Sequence, residues 1–340
     1  MSCSSTRKPS CSRSEHRAAN RKQLSPVNDF PRGSGPVPMV SEAGGEPEDG
    51  PAGHRQPQDP DRRAEGPGRK RAGRDLPAAI GVGLGLGTVI LASLFVHKPV
   101  FVVVIAAAVV VGLWELTSRL AERSQLRVPL VPLAAGGAAT VVAGYLSGAD
   151  GALIALGATI LAMLVWRMTQ RPENYLRDVT AGVFVAFYVP FLATFVALML
   201  TAGDGPQRVL TFLLLTVISD TGAYAVGWRF GKHKLAPRIS PGKTREGTAG
   251  AVVSAMAAGA LCMELLIDGG QWWQGLVLGL AVAVSATVGD LGESMIKRDL
   301  GIKDMGTLLP GHGGIMDRLD SILPTAPVAY LLFLAFVGAG

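Results

Sequence analysis

Hydrophobic positions in this chain neither alternate nor form narrow stripes; they come in long blocks. The blocks lie near residues 76–96, 99–117, 128–147, 150–166, 179–201, 208–228, 248–267, 272–291 and 320–339. Most approach the roughly 20 residues that an α-helix needs to cross the hydrocarbon core of a bilayer. Backbone polar groups in lipid find no water, so helices are the expected form of each block. The pattern predicts an all-α polytopic membrane protein with about nine transmembrane helices.

Residues 1–75 are different. They are rich in Ser, Pro, Gly, Arg, Glu and Asp and carry little apolar periodicity. Too little surface can be buried there to offset the entropy of ordering, so a disordered polar cytoplasmic tail is expected, with 76–340 as the transmembrane domain. The segment is too long and too polar for a signal peptide. Its basic end, Arg69–Arg74, reads most simply as an orientation signal.

The connections between blocks alternate in charge. Arg119, Arg123 and Arg127 fall in one, Arg167, Arg171 and Arg177 in another, and 229–246 is strongly basic. The intervening connections at 147–151, 202–207 and 268–271 carry almost no positive charge; only Lys98 breaks the rule. The alternation predicts a cytoplasmic N-terminus in an inner or plasma membrane, and it puts the polar segments 229–247 and 292–319 on the cytoplasmic side.

Composition agrees, with 49% hydrophobic and 17% charged residues and a mean hydropathy of +0.34. A net charge of +6 could suit nucleic acid. Here, however, the basic residues sit in short loops between apolar blocks, which fits membrane orientation and not a nucleic-acid partner. Cys3, Cys11 and Cys262 have neither disulfide-framework nor zinc spacing. The run Gly81–Gly87 looks like a dinucleotide fingerprint but lacks a preceding strand and an acidic partner, so Gly83 and Gly87 are better read as permitting close helix packing.

Three polar constellations carry candidate chemistry. Asp220, in Ser219-Asp220-Thr221-Gly222, sits in or at the end of the sixth block, where a carboxylate costs roughly 2.5–3.5 kcal/mol on insertion scales. It is either a packing partner of a cation or a functional group. In Ser240-Pro-Gly-Lys243-Thr244-Arg-Glu-Gly247 the Gly-Lys-Thr triplet ends like a P-loop. The first glycine of that pattern would be Pro237, and no strand is evident before it, so this is no Walker motif. A Pro-Gly turn before a helix can still offer N–H groups to phosphate beside Lys243 and Thr244. Finally, Asp290, Glu293, Ser294 and Lys297 share one helix face, and Asp317, Asp320 and Ser321 share another. Stacked carboxylates repel unless a cation intervenes, so this reads as a site for Mg²⁺ with a phosphate-binding lysine beside it.

The segment Ser294-x-x-Lys297-Arg298-x4-Lys303-Asp304-x-Gly-x2-Leu-Pro-x-His312-Gly-Gly-x-x-Asp317-Arg318-x-Asp320 resembles, through 27 consecutive positions, the signature of phosphatidate cytidylyltransferases. Ser240–Gly247 and Asp220–Tyr224 resemble further motifs of that family, although Gly242 and Arg245 stand where the family commonly has a basic and an aromatic residue. The resemblance covers about 76–340 and implies transfer of CMP from CTP to phosphatidate, giving CDP-diacylglycerol and pyrophosphate. It implies metal ligation by Asp290 and Asp317, supported by Glu293 and Asp320, with Mg²⁺ as cofactor and K⁺ as the candidate second cation. Asp220, Lys243, Lys297, Arg298, Lys303, Asp304, His312 and Arg318 are the implied catalytic residues. Ser240, Lys243, Thr244, Ser294, Lys297, Arg298 and Arg318 are expected to bind substrate. CTP, phosphatidate and the lipid membrane are the expected partners, and a homodimer is a candidate assembly. The rival readings are a transporter, a CTP-dependent polyprenol kinase and a non-catalytic scaffold. A transporter is disfavoured because the charges gather at one membrane edge and no inverted repeat is visible.

Overall fold

The computed structural model describes residues 76–306, 308 and 313–338. The expected disordered tail at 1–75 and the candidate His312 lie outside the described residues.

The long hydrophobic blocks are helices. They are α1 (Leu76–Val96), α2 (Lys98–Ser124), α3 (Leu130–Met168), α4 (Tyr175–Ala186), α5 (Leu192–Thr201), α6 (Gly205–Phe230), α7 (Arg245–Leu266), α8 (Trp272–Asp299), α9 (Met316–Leu319) and α10 (Ile322–Val337). Among the described residues, seven helical stretches are long and apolar enough to cross a membrane, with Gly81–Val96 of α1 a shorter apolar helix. The expectation of nine separate helices therefore changes. The predicted third and fourth blocks form the single element α3, broken at Gly148, whose φ of 67° and ψ of −158° are open to glycine and strained for other residues. The two limbs pack antiparallel. A Cβ at Gly136 would collide with Thr159, and one at Gly144 would lie 3.6 Å from the Ala152 methyl.

α4 and α5 form one span, Tyr175–Thr201, joined by a π-helical turn at Phe187–Phe191. Pro190 lies in that turn and cannot donate an N–H to the helical ladder, which explains the local widening.

The helical expectation holds, with one short addition among the described residues. Between α6 and α7 the chain forms a hairpin of β1 (Lys234–Ala236) and β2 (Ser240–Thr244), pairing Lys234 with Thr244 and Ala236 with Ser240. A strand therefore does run directly into α7, although Pro237 still rules out the P-loop pattern.

Close helix approach occurs elsewhere than α1. Gly87 faces open space, contrary to the packing role expected of it. Instead, Gly222 and Gly250 bring α6 against α7, and Gly259, Gly275 and Gly279 bring α7 against α8, so tightly that any Cβ would strike the neighbouring helix.

Hydrogen bonds between connections define two ends of the bundle. At one end Arg177 donates to the Ser124 carbonyl (2.5 Å), Arg119 to Met305 (2.7 Å) and Arg298 to Ile239 (3.3 Å). At the other, Lys98 donates to Ala202 (2.8 Å) and Arg208 to Gly338 (2.8 Å). The basic connections thus gather at one end, and Lys98, the exception in sequence, is tied down by a carbonyl at the other.

The basic end also holds a buried ion pair. Arg167 meets Asp178 at 2.9 Å, with side chains 2% and 1% exposed, and Asp178 also accepts the Arg127 N–H at 3.0 Å. Truncating one partner strands a buried charge, so Asp178→Ala should destabilise the protein by about 3–5 kcal/mol. Thermal unfolding in detergent should show the loss, while turnover per folded molecule stays near that of the parent.

Candidate active site

The predicted carboxylates and lysines converge at the basic end of the bundle. Asp290, Glu293 and Lys297 line one face of α8, the outer two seven positions, or about two turns, apart. The hairpin brings Lys243 across to this face, with its Nζ 2.5 Å from Asp290 Oδ2. Lys297 Nζ lies 2.7 Å from Asp317 Oδ1 and 3.2 Å from Glu293 Oε2. From α6, Asp220 Oδ2 accepts a long 3.5 Å hydrogen bond from Ser321 Oγ. A cavity of about 370 Å³ opens beside them, lined among others by Ser219, Asp220, Tyr224, Lys243, Thr244 and Asp290.

Asp317 is held firmly. It is 8% exposed and accepts the N–H groups of Met305 (3.0 Å to each oxygen), Gly306 (3.4 Å) and Gly314 (2.9 Å). These bonds draw the two ends of the α8–α9 connection together. Glu293 is in the opposite condition. It is 1% exposed, and neither carboxylate oxygen has a hydrogen-bond partner among the described residues; Lys297 comes within ion-pair distance without hydrogen-bond alignment.

Whether these residues suit Mg²⁺ can be judged from the donors. Five carboxylates, Asp220, Asp290, Glu293, Asp317 and Asp320, face two lysines. All the donors are oxygens, as a hard cation requires, and those of Glu293 are unpartnered. Among the described residues no three of His, Cys, Asp and Glu converge closely enough to enclose a metal ion. The donor chemistry fits, with Lys243 paired to Asp290 and Lys297 to Asp317 and Glu293.

The remaining predicted residues are spread around this centre. Thr244 is buried, and its hydroxyl accepts the Gly247 N–H at 3.1 Å as the N-cap of α7, so it starts the helix that carries the hairpin. Ser240 opens β2, and Ser294 is half-buried on α8. Arg298 is exposed and reaches back to the hairpin. Lys303, Asp304 and Arg318 are exposed.

Three residues escaped the sequence reading. Glu246 fastens the hairpin to α7, accepting the N–H groups of Lys232 and His233 at 3.2 Å and approaching His233 Nδ1 to 2.6 Å. Removing it should loosen the strand that carries Lys243. Glu246→Ala is expected to cut kcat by about tenfold, the value of one or two charge-assisted hydrogen bonds, with little change in melting temperature. Tyr188, on the π-helical turn, has a buried hydroxyl with no partner among the described residues, and Glu293, Asp320 and Asp290 are its charged neighbours. Such turns recur at functional sites, but none is legible from sequence alone. Glu115, in the α2 block, is 3% exposed and accepts the Met316 N–H at 2.8 Å. An ionisable residue inside an apolar block is itself the signal that could have found it.

A helical membrane domain with opposed carboxylates and lysines around a cavity at one end has the layout of an enzyme that handles phosphate at a membrane edge. Comparison with known proteins agrees and is more specific. The model of the cytidylyltransferase family matches residues 77–336, and the chain belongs to that family. It is similar to a phosphatidate cytidylyltransferase of Mycobacterium leprae (strain TN), 44% identical over 278 residues, which cover 77% of this chain and 88% of the relative. A protein of the same name from Mycobacterium tuberculosis (strain H37Rv) is 42% identical, covering 77% and 83%. Another from Brucella suis is 37% identical, covering 59% and 73%.

Proposed function

We propose that this protein transfers CMP from CTP to phosphatidate, producing CDP-diacylglycerol and pyrophosphate for phospholipid synthesis. The observation that carries the reading is the meeting of Lys243 and Lys297, from separate elements, with the carboxylates of α6, α8 and α9–α10 beside an open cavity. The relatives' names supply the substrates.

The reaction needs no protein nucleophile. A phosphate oxygen of phosphatidate attacks the α-phosphorus of CTP, the bond from that phosphorus to the bridging oxygen of the β-phosphate breaks, and pyrophosphate leaves in line. The protein's task is to hold two anions together and stabilise the charge that moves onto the leaving group. Lys243, on the cavity wall, is suited to triphosphate oxygens, and Lys297 holds Asp317 and Glu293 in register below it. Arg298, Lys303 and Arg318, all exposed, are suited to present cations to a phosphate head group. When bound, Mg²⁺ would neutralise triphosphate charge, and Asp290, Glu293, Asp317 and Asp320 are the residues that would hold it; a second cation such as K⁺ belongs to the same proposal. Acyl chains would remain in the bilayer and enter between helices.

In this reading the basic end faces the cytoplasm, where CTP is found, and the two limbs of α3 each cross the membrane, giving nine passages. A homodimer is a candidate assembly, to be checked by mass measurement in detergent. The test of the reaction is the fate of label. Phosphorus from the α position of CTP should enter the lipid while γ-label leaves with pyrophosphate. Transfer of γ-label to lipid would mark a kinase and overturn the proposal.

A further inference from the structure

The connection from α8 to α9 carries Lys303 and Asp304 near its start and leads directly into Asp317 and Arg318 of α9, so the shape of its neck decides where these groups stand. The neck rests on α2, a helix to which no motif pointed. Arg119 Nε donates to the Met305 carbonyl at 2.7 Å, and Glu115 Oε2, one turn earlier on the same face, accepts the Met316 N–H at 2.8 Å. Met305 and Met316 are the two sides of the neck. Met316 begins the run into α10, and N–H groups at a helix start have no partner of their own. A carboxylate from another helix supplies one here, with favourable charge at the helix N-terminus.

The fit around Glu115 is close. A Cβ at Gly306 would run into Oε1, and one at Gly314 would come within 2.5 Å of Oε2. Both neck strands thus have a glycine where the carboxylate passes. The Glu115 carboxylate is almost fully buried, and Oε1 has no hydrogen-bond partner among the described residues. Burial of a charge on these terms is costly for a residue that served packing alone.

We propose that Glu115 and Arg119 are positioning residues for cytidylyl transfer, a clamp on α2 that holds the neck of the α8–α9 connection and so sets Asp317 against Lys297. The inference rests on the proposed reaction for its kinetic readout, but not for its structural one. Glu115→Ala removes the acceptor and is expected to lower kcat by about 10- to 100-fold, the range for one lost hydrogen bond to a charged group. Glu115→Gln keeps an acceptor oxygen and should recover most of that loss. Arg119→Ala, at a partly exposed position, should lower kcat in the same direction and tests the clamp if Glu115→Ala folds poorly. Because Gly314 makes room for the carboxylate, Gly314→Ala should cost much less in the Glu115→Ala background than alone, as coupled neighbours do.

The experiment measures pyrophosphate release per folded molecule for these variants, with melting temperature and the rate of tryptic cleavage after exposed Lys303. The clamp predicts reduced kcat, faster cleavage after Lys303 and a melting temperature close to that of the parent. Parent-like kcat and cleavage in both Glu115→Ala and Arg119→Ala would overturn it. So would a loss in both that tracks the melting temperature with no rescue by Gln. If the parent protein itself released no pyrophosphate, the proposed reaction would fail, while faster cleavage in the variants would still support the clamp.

Discussion

Asp290→Asn is expected to reduce kcat by at least about 10³-fold, some 4 kcal/mol of transition-state stabilisation, while leaving the fold intact. The size follows from the position of the residue. Asp290 is the carboxylate that both lines the cavity and holds Lys243 at 2.5 Å. Asparagine keeps the shape and one acceptor oxygen, so the hairpin and α8 stay together. What disappears is the negative charge that would hold a divalent cation and the partner that aims the lysine. Circular dichroism and melting temperature should match the parent, and kcat should not. A variant that retained most of its turnover would remove Asp290 from the reacting centre.

Lys297→Met should have the second largest effect, and it acts on stability as well as rate. Lys297 stands between Asp317 and Glu293, whose side chains are 6% and 1% exposed. Without the ammonium group two buried carboxylates face each other with no compensating cation, a loss of about 3–5 kcal/mol by analogy with broken buried pairs. The accompanying fall in kcat should reach about 10²–10³-fold, as for removal of one electrostatic stabiliser from an active site. Divalent cations provide a further check. If the carboxylates bind Mg²⁺, raising its concentration should restore part of the lost melting temperature in Lys297→Met, and more than in the parent protein. Equal response of the two proteins would count against a cation site among these residues.

Much of this was legible in the sequence because it rests on local rules. Hydrophobic block length located the helices, and helical spacing put Asp290, Glu293 and Lys297 on one face, where the structure has them. The turn near 148 was also visible as a gap between blocks, although its form, a glycine break in a continuous helical element, was not. The β-hairpin was hidden because its strands are three and five residues long and include Pro241 and Gly242, residues that disfavour strands. The partners of Glu115 were hidden for a different reason. Met316 lies 201 positions away, and no periodicity spans that distance. The small-residue rule was sound in kind and misplaced in location. Glycines in α6, α7 and α8 make the close approaches, whereas Gly87 in α1 meets nothing.

The most direct test of the central claim is pyrophosphate release by the purified, detergent-solubilised full chain supplied with CTP, phosphatidate and Mg²⁺, each also omitted in turn. The account predicts release that requires all three, with CDP-diacylglycerol formed in equal amount. Release that proceeds without phosphatidate, or none at all from folded protein with all three present, would contradict it.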